Sequence, residues 1–356
     1  MIEISDQAAS VLLSGNQTRR IRVESWYDDQ LLDDDVPVTD GREETDRSLN
    51  VPERVTLTVP RTRRGVDYTP GELLSPLAAN GQRLRILVGV GIGNGQYEWL
   101  QRGWFVITNS VRRGDQISVE AAGMLWLIQE ARLVNPFQPS TNFVTSIRAL
   151  VEPALTVEFD SALVDRSIPS TVNYDDDRLG ALETTLTAWG AVADVTPDGF
   201  LYVTSSDDPA TVSLELSSGV RGTVIQSSGE STRDGVFNAV VAQGTATDGG
   251  LVRSVAYDLN GPKRSGGPFN DLPVPFYFDS PLITTQAQAA AAARTRLATI
   301  KRGTGIMKDV EMVPHPALEV GDRVTLDGVD GVVEQYTLPL TAAGGAATAK
   351  VRLVES

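Results

Sequence analysis

Thr284-Thr285-Gln286-Ala287-Gln288-Ala289-Ala290-Ala291-Ala292-Ala293-Arg294-Thr295-Arg296-Leu297 begins a run that continues to Leu326 and turns from helix to strand on the way. Thr285 with Gln288 three residues on is a capping box, so the helix is predicted over 285–302. The alanines that follow are strong helix formers. Ala289, Ala293, Leu297 and Ile300 fall at i, i+4, i+8 and i+11, which is one face. Arg294, Arg296, Lys301 and Arg302 crowd the last turns, where cations suit the negative end of the dipole. Gly303 is the predicted stop. A face made mostly of alanine lets the helix lie close on a neighbour. Leu297 and Ile300 then contribute roughly 1.5–3 kcal/mol each on full burial.

Beyond Pro314-His315-Pro316-Ala317-Leu318 the hydrophobic period switches from 3.6 to 2. Val320, Val324 and Leu326 flank a Gly321-Asp322 turn. Asp327-Gly328 and Asp330-Gly331 both read as hairpin turns. Val332, Val333, Tyr336 and Leu338 form the return strand. After the Ala342-Ala343-Gly344-Gly345 loop, Ala349, Val351 and Leu353 alternate with Lys350 and Arg352 in a last strand.

The rest of the chain follows the same logic. Ser5 caps a short helix over 6–13, with Gly15 as its stop. From Arg20 the chain alternates as a strand, and Asp28, Asp29 and Asp33 to Asp35 surround Leu31-Leu32 as a hairpin tip. Further strands are predicted through Val55, Leu57 and Val59, through Leu84, Ile86 and Val88, over 104–107 and over 117–121. Such short strands between turn signals imply a barrel or sandwich. Near Pro136 helices enter. One covers 143–151; a second follows Asp175-Asp176-Asp177, with Leu179, Leu182, Leu186 and Trp189 on one face and Gly190 as its C-cap. A hairpin turning at Pro197-Asp198-Gly199 closes this part. Strands resume near Val212 and continue over 236–243 and 255–257. Residues 261–281 read as a structureless loop, of the kind that is functional or disordered, carrying Phe269, Phe276, Tyr277 and Phe278.

The order and spacing of these segments resemble the hub proteins of tailed phages, known in actinobacterial siphophages as minor tail proteins. The carriers are Ile283-Thr284-Thr285-Gln286-Ala287-Gln288-Ala289 with its alanine run and Leu297, then Pro316-Ala317-Leu318-Glu319-Val320-Gly321-Asp322-Arg323-Val324. Phe237-Asn238-Ala239-Val240-Val241-Ala242-Gln243-Gly244 looks like the first strand of the same C-terminal barrel. The alternation over 20–60, with Gly81-Gln82-Arg83-Leu84-Arg85-Ile86 and Gly103-Trp104-Phe105-Val106-Ile107, is similar to the first hub barrel. The resemblance implies a mainly β fold with a few short helices: two tail-tube-like β-barrels with an inserted α+β module. The expected domains are 1–135 for the first barrel, 136–211 for the module and 212–356 for the second barrel with its helix. It further implies a homotrimer at the virion tail tip, made in the host cytoplasm. Its partners would be the distal tail protein, the tape-measure protein and tail fibre or tip proteins, with DNA passing only transiently.

Composition bounds the alternatives. The 31 Lys and Arg stand against 46 Asp and Glu, a net charge of −15. That argues against a nucleic-acid-binding surface and for one that repels DNA. Cysteine is absent, which excludes disulfides, cysteine zinc sites and thiol nucleophiles. No apolar run approaches about 18 residues and the start lacks a basic region with an apolar core, so neither membrane insertion nor a signal peptide is expected.

No catalytic, cofactor or metal residues are expected. Gly89-Val90-Gly91-Ile92-Gly93-Asn94-Gly95 breaks the dinucleotide spacing and leads into a strand, so it reads as a hairpin loop. His315 is the sole histidine; it sits between two prolines and reads as structural or surface rather than as a triad base. Neither acidic triplet has the calcium-loop pattern. Asp175 to Asp177 cap a helix, and Asp33 to Asp35 read as a solvated tip. Arg61, Arg63 and Arg64 read as a solvated loop. The candidate partner contacts are Phe269, Phe276, Tyr277 and Phe278, which either close their own barrel or dock on another subunit. The alternative function is a tail-associated cell-wall hydrolase or a glycan-binding β-rich module, built on Trp99, Trp104, Trp126 or Trp189.

Overall fold

The computed structural model describes the chain except residues 15–16, 169–171, 206–208, 231–232, 234, 247, 261, 304–305 and 355–356, and the side chains of 230, 299 and 301–303. The expected stop at Gly15 and the last-turn side chains of Lys301 and Arg302 lie outside the described residues. In chain order the first elements are α1 (Asp6–Leu13), β1 (Arg19–Tyr27), β2 (Gln30–Asp33), β3 (Asp40–Asp46), β4 (Glu53–Pro60), β5 (Thr62–Arg63), β6 (Val66–Asp67), β7 (Arg83–Gly93), β8 (Gln96–Arg113) and β9 (Gln116–Gly123). The middle holds α2 (Trp126–Glu130), α3 (Phe143–Val151), β10 (Val157–Phe159), α4 (Arg178–Trp189), β11 (Ala191–Val195) and β12 (Leu201–Ser205). The last part holds β13 (Leu214–Leu216), β14 (Val224–Glu230), β15 (Ala239–Thr245), β16 (Leu251–Tyr257), β17 (Pro275–Asp279), α5 (Gln286–Gly303), β18 (Met307–Met312), β19 (Arg323–Leu326), β20 (Val329–Pro339) and β21 (Ala347–Leu353). The protein is therefore mainly β with short helices, as the segment pattern predicts.

Local chemistry explains the boundaries. Ser5 accepts from the Ala8 N–H at the start of α1, and Asp177 accepts from the Gly180 N–H at the start of α4, each satisfying a donor the helix itself cannot. Gly190 ends α4 at a positive φ of 78°, the left-handed cap that glycine adopts without a Cβ penalty. Asp28 and Asp29 both have positive φ, 47° and 59°, the turn that closes the β1–β2 hairpin. Asp327-Gly328 makes the same kind of turn between β19 and β20, with φ of 49° and 84°. Asp330-Gly331 does not turn: it lies inside β20. A Cβ on Gly331 would stand 2.6 Å from Val351 Cγ1, so close strand packing explains that glycine.

The strands before and after the middle module join one 13-stranded sheet, ordered β14-β18-β21-β20-β3-β4-β9-β8-β7-β1-β2, with β19 on β20 and β13 on β19. The seam is β3 against β20, antiparallel from Gln335↔Asp46 to Pro339↔Arg42. Both sets of strands turn their apolar residues into one core. Val23, Leu57, Leu84, Ile86 and Phe105 from the first set meet Val310, Met312, Val333, Leu338 and Val351 from the second. At roughly 1.5–3 kcal/mol per buried large side chain, this shared core is the main force joining the two halves.

Two smaller layers complete the fold. In the middle module α3 and α4 pack over the β10-β12-β11 sheet, with Phe143 stacked on Trp189 at 5.4 Å. Its core continues onto Val106, Met124 and Leu125. The second layer is the β16-β15-β17 sheet covered on one face by α5. Here two expectations are revised. The strand at 237–244 belongs to this helix-backed layer and not to the large sheet. The stretch 261–281 is not structureless, because 275–279 pairs in parallel with β15. The aromatic residues there are good strand formers, and Pro275 is tolerated at an edge.

The capping box at α5 is formed: the Gln288 N–H donates to Thr285 Oγ1 at 3.3 Å, and Gln288 Oε1 accepts from the Thr285 N–H at 2.9 Å. Ala289, Ala293 and Leu297 are buried against Val240, Ala242 and Val252, with Ile300 packed beside them. Leu297→Ala is expected to destabilise by about 2–3 kcal/mol, the low end for a core leucine because its neighbours on the helix are already small. A urea midpoint unchanged by this substitution would mean that α5 is not packed there.

Candidate functional site: a buried ionic junction and an aromatic edge

At the seam a charged pair is sealed from water. Glu43 of β3 and Arg102 of β8 have side-chain exposures of only 4% and 3%. Arg102 Nη2 and Nε donate to the two Glu43 carboxylate oxygens at 2.7 and 3.0 Å. Its Nη1 donates to the carbonyls of Pro316 and Leu318 at 2.7 and 3.1 Å. One guanidinium thus ties β8 to β3 and to the 314–318 connector. The flat fork of arginine is suited to this, since it serves a carboxylate and two carbonyls at once. Burial works against the charged guanidinium, but Glu43 more than reverses that and raises its pKa above the usual arginine value.

The connector is held from its other side. The His315 N–H donates to Tyr336 Oη at 3.0 Å, and that hydroxyl donates to the His315 carbonyl at 3.0 Å. Burial pushes Tyr336 up to about 12. Burial pushes the His315 imidazole down to about 4, helped by the positive charge of Arg102 and opposed by a backbone hydrogen bond. His315 Nδ1 has no partner. A cation rather than a carboxylate acts on this imidazole, the reverse of what a catalytic triad needs. Next along the chain, the Met1 amine pairs with Asp322 and, at 3.1 Å, with Glu319, while Asp322 Oδ2 accepts from the Glu319 N–H.

Glu53, at the start of β4, is half-buried, but its Oε2 is sealed without a donor. A Cβ on Gly123 would stand 2.2 Å from that oxygen, so glycine there makes room for the carboxyl. Burial pushes Glu53 up to about 7, and Asp194 and Glu43 add to the rise. Asp194 is itself raised, by burial first. None of these groups except His315 stands out in the sequence. Glu43 lies in Asp40-Gly41-Arg42-Glu43-Glu44-Thr45-Asp46, a segment with no apolar alternation, and its partner is 59 residues away.

The four aromatic candidates face different ways. Phe276 and Phe278 turn toward α5, where the Arg296 guanidinium lies 5.2 and 5.8 Å from their rings. Phe237 meets Phe276 edge-on at 5.3 Å. Phe269 lies under Arg233 at 4.6 Å. Tyr277 alone points out, with 57% of its surface exposed, under Arg253 at 5.8 Å.

The remaining candidates are placed as follows. Gly89, Gly91 and Gly93 lie in β7, and only Asn94-Gly95 turns. Among the described residues no group of three His, Cys, Asp or Glu is arranged to hold a metal ion. Arg61 and Arg63 lie near Asp67, Asp115 and Asp35. Arg22 stacks on Trp99 at 4.5 Å, Trp189 is buried, and Trp126 packs on the module core. Trp104 meets Trp26 edge-on at 5.8 Å and lines a cleft of about 680 Å³ with Asp28, Asp29 and Asp198. Among the described residues no helix is long and apolar enough to cross a membrane.

The sequence matches no protein-family model and no curated protein. Solved structures do match, and over nearly the whole chain. The chain has the fold of phage tail proteins. A tail protein from Neisseria meningitidis MC58 is 13% identical with a TM-score of 0.65, over 95% of this chain and 97% of that one. The 43 kDa tail protein of prophage MuSo2 from Shewanella oneidensis is 12% identical with a TM-score of 0.60, over 93% and 98%. The E. coli c3393 protein is a type VI secretion component described as similar to the T4 tail proteins gp27 and gp5. It is 10% identical with a TM-score of 0.50, over 96% of this chain and 75% of that one.

Proposed function

We infer that this chain is a structural hub subunit at the tip of a siphophage-like tail. Three copies form a ring whose tube-like parts, 1–135 and 212–356 in each chain, together match a sixfold tail tube, with 136–211 inserted between them. One observation carries this reading: the two strand sets share one sheet and one core, in a fold found end to end in phage tail proteins. The mechanism is geometric. The ring adapts one symmetry to another, meets the distal tail protein and the tape-measure protein, carries fibre or tip proteins, and lets DNA through. The net charge of −15 supports a net negative channel wall to which DNA does not adhere.

The arrangement of the ionisable groups fits a structural role. Arg102 and Tyr336, whose pKa values are raised at the junction, hold β3, β8, β20 and the 314–318 connector together. Light scattering on the eluting protein is expected to give a trimer, or a monomer that forms rings once tail partners are added. A stable monomer unaffected by those partners contradicts the hub.

The cleft at Trp26 and Trp104 favours a second reading as a glycan-binding or wall-hydrolysing module, since aromatic and carboxylate groups between two layers are usual for ligand sites. A lytic band on cell-wall zymograms, lost on substituting one of the cleft aspartates Asp28, Asp29 or Asp198, would establish it.

A further inference from the structure

One face of the first strand set carries arginines in an unusual setting. On β1, Arg20, Arg22 and Glu24 alternate with Val23, which points into the shared core, so they lie on the other face of the sheet. The register sets Arg20 opposite Gly89 and Arg22 opposite Leu87 on β7. Beyond β7, β8 sets Trp99 opposite Gly89 and Tyr97 opposite Gly91. The glycines let these rings lie down on the sheet. A Cβ on Gly89 would stand 3.1 Å from Trp99 Cε3, and one on Gly91 3.6 Å from Tyr97 Cε1. The two rings lie 6.1 Å apart. Above them rest the guanidiniums, Arg20 at 4.7 Å from the Tyr97 ring and Arg22 at 4.5 Å from the Trp99 ring. From the sheet outward the order is glycine, ring, guanidinium.

Both arginines are exposed, and neither has an ion pair among the described residues. Glu24, the carboxylate beside them on β1, is already engaged: it accepts from Trp26 Nε1 at 3.1 Å and from Arg85 Nη1 at 3.4 Å. In a chain of net charge −15, two unused cations held side by side call for an anionic partner. Stacking steadies each guanidinium and leaves the N–H edges of its flat fork free. Each ring has glycine backbone beneath and a guanidinium above, so neither is an open platform for a sugar or a base. Arg20 and Arg22 are two residues apart on a strand and so recur at about 6.6 Å. Carboxylates two residues apart on an extended segment recur at the same interval. Duplex nucleic acid fits less well, with one charge per about 1.7 Å of axis and a −15 chain to repel it. Trp, Tyr and Arg are also the residue types that anchor contacts between proteins.

We propose that this face docks an extended segment of a partner protein with Asp or Glu at alternate positions, two successive carboxylates pairing with Arg20 and Arg22. Each pair is a charge-assisted, fork-to-carboxylate contact, the geometry that arginine serves best. The rings beneath hold the two forks at the spacing of the incoming strand, so little order has to be created on binding. The site needs no contact between copies of this chain, so it does not rest on the ring reading above.

A fluorescein-labelled peptide of alternating Glu and Thr, titrated with the full chain at low salt and followed by anisotropy, tests this. Binding tighter than about 1 mM is expected, and it should weaken as salt is added. Arg20→Glu with Arg22→Glu is expected to lower the affinity by about tenfold or more, since like charges then meet. Arg20→Lys with Arg22→Lys keeps the charge but loses the stacked fork, and an intermediate loss is expected. Unchanged circular dichroism and melting of each variant show that folding is intact. A parent chain that does not bind the peptide, or a Glu variant that binds it equally well, overturns the site. A Lys variant equal to the parent overturns the stacked geometry. An oligothymidylate of matched charge that binds as tightly overturns the choice of a protein partner. Self-association of the parent that the Glu variant loses gives the face to a second copy and overturns it as well. None of these results bears on the hub reading, which light scattering with tail partners tests separately.

Discussion

Arg102→Ala is expected to destabilise the protein by about 3–5 kcal/mol, the usual loss when one partner of a buried ion pair is removed. The reason is what remains. Glu43 would keep a buried carboxylate that has lost both of its guanidinium donors, and the Pro316 and Leu318 carbonyls would lose theirs. An unpaired buried polar group is penalised far more than a satisfied one is rewarded. Glu43→Leu combined with Arg102→Met should therefore recover much of the loss, since an apolar pair leaves no stranded charge. It should not recover all of it, because the two carbonyls stay unpaired. Urea unfolding of the two single variants and the double variant checks this. Additive single and double losses would mean that the two side chains do not act as a pair.

The second large effect is a pH response in which two residues pull in opposite directions. His315 has a folded pKa of about 4 against an ordinary 6.5. Its stabilising contribution is complete above 6.5 and is lost as the pH falls through 4. Glu53 has a folded pKa of about 7 against an ordinary 4.5. Its contribution is complete below 4.5 and is lost as the pH rises through 7. Each displacement corresponds to about 3 kcal/mol. Over the shared window from 4.5 to 6.5 the two slopes offset in the parent. His315→Gln should unmask a stability that falls as pH rises through that window, and Glu53→Gln one that rises. Other titrating groups are common to all three proteins, so the difference between each variant and the parent is the measured quantity. Two variants with parallel pH profiles would show that neither group titrates as its surroundings dictate.

Much of the architecture is legible in the residues. Asp177 and Gly190 bracket α4, Thr285 and Gln288 start α5, and Ala289, Ala293 and Leu297 mark its buried face. These signals are local: a cap or a face is written within a few residues. The seam is not legible, because β3 reads as a charged loop. Its strand character is imposed from both sides by β4 and β20, which overrides a poor intrinsic preference. β17 is hidden for a similar reason, since prolines at 273 and 275 mimic loop punctuation. The junction is the least visible part. Glu43 and Arg102 obey no spacing rule, and only the folded strands bring them together.

The seam also bears on how the chain is made. β3 leaves the ribosome early, but its partner β20 begins only at residue 329. At bacterial translation speeds β3 waits for that partner on the order of tens of seconds. For that time one flank of β3 is bare, as inviting to a wrong neighbour as any open strand. Asp40, Arg42, Glu43, Glu44 and Asp46 make it a poor template for sticking, the usual protection of a naked edge. The charge that hides this strand from a reader of the sequence shields the nascent polypeptide until its own C-terminal segment arrives.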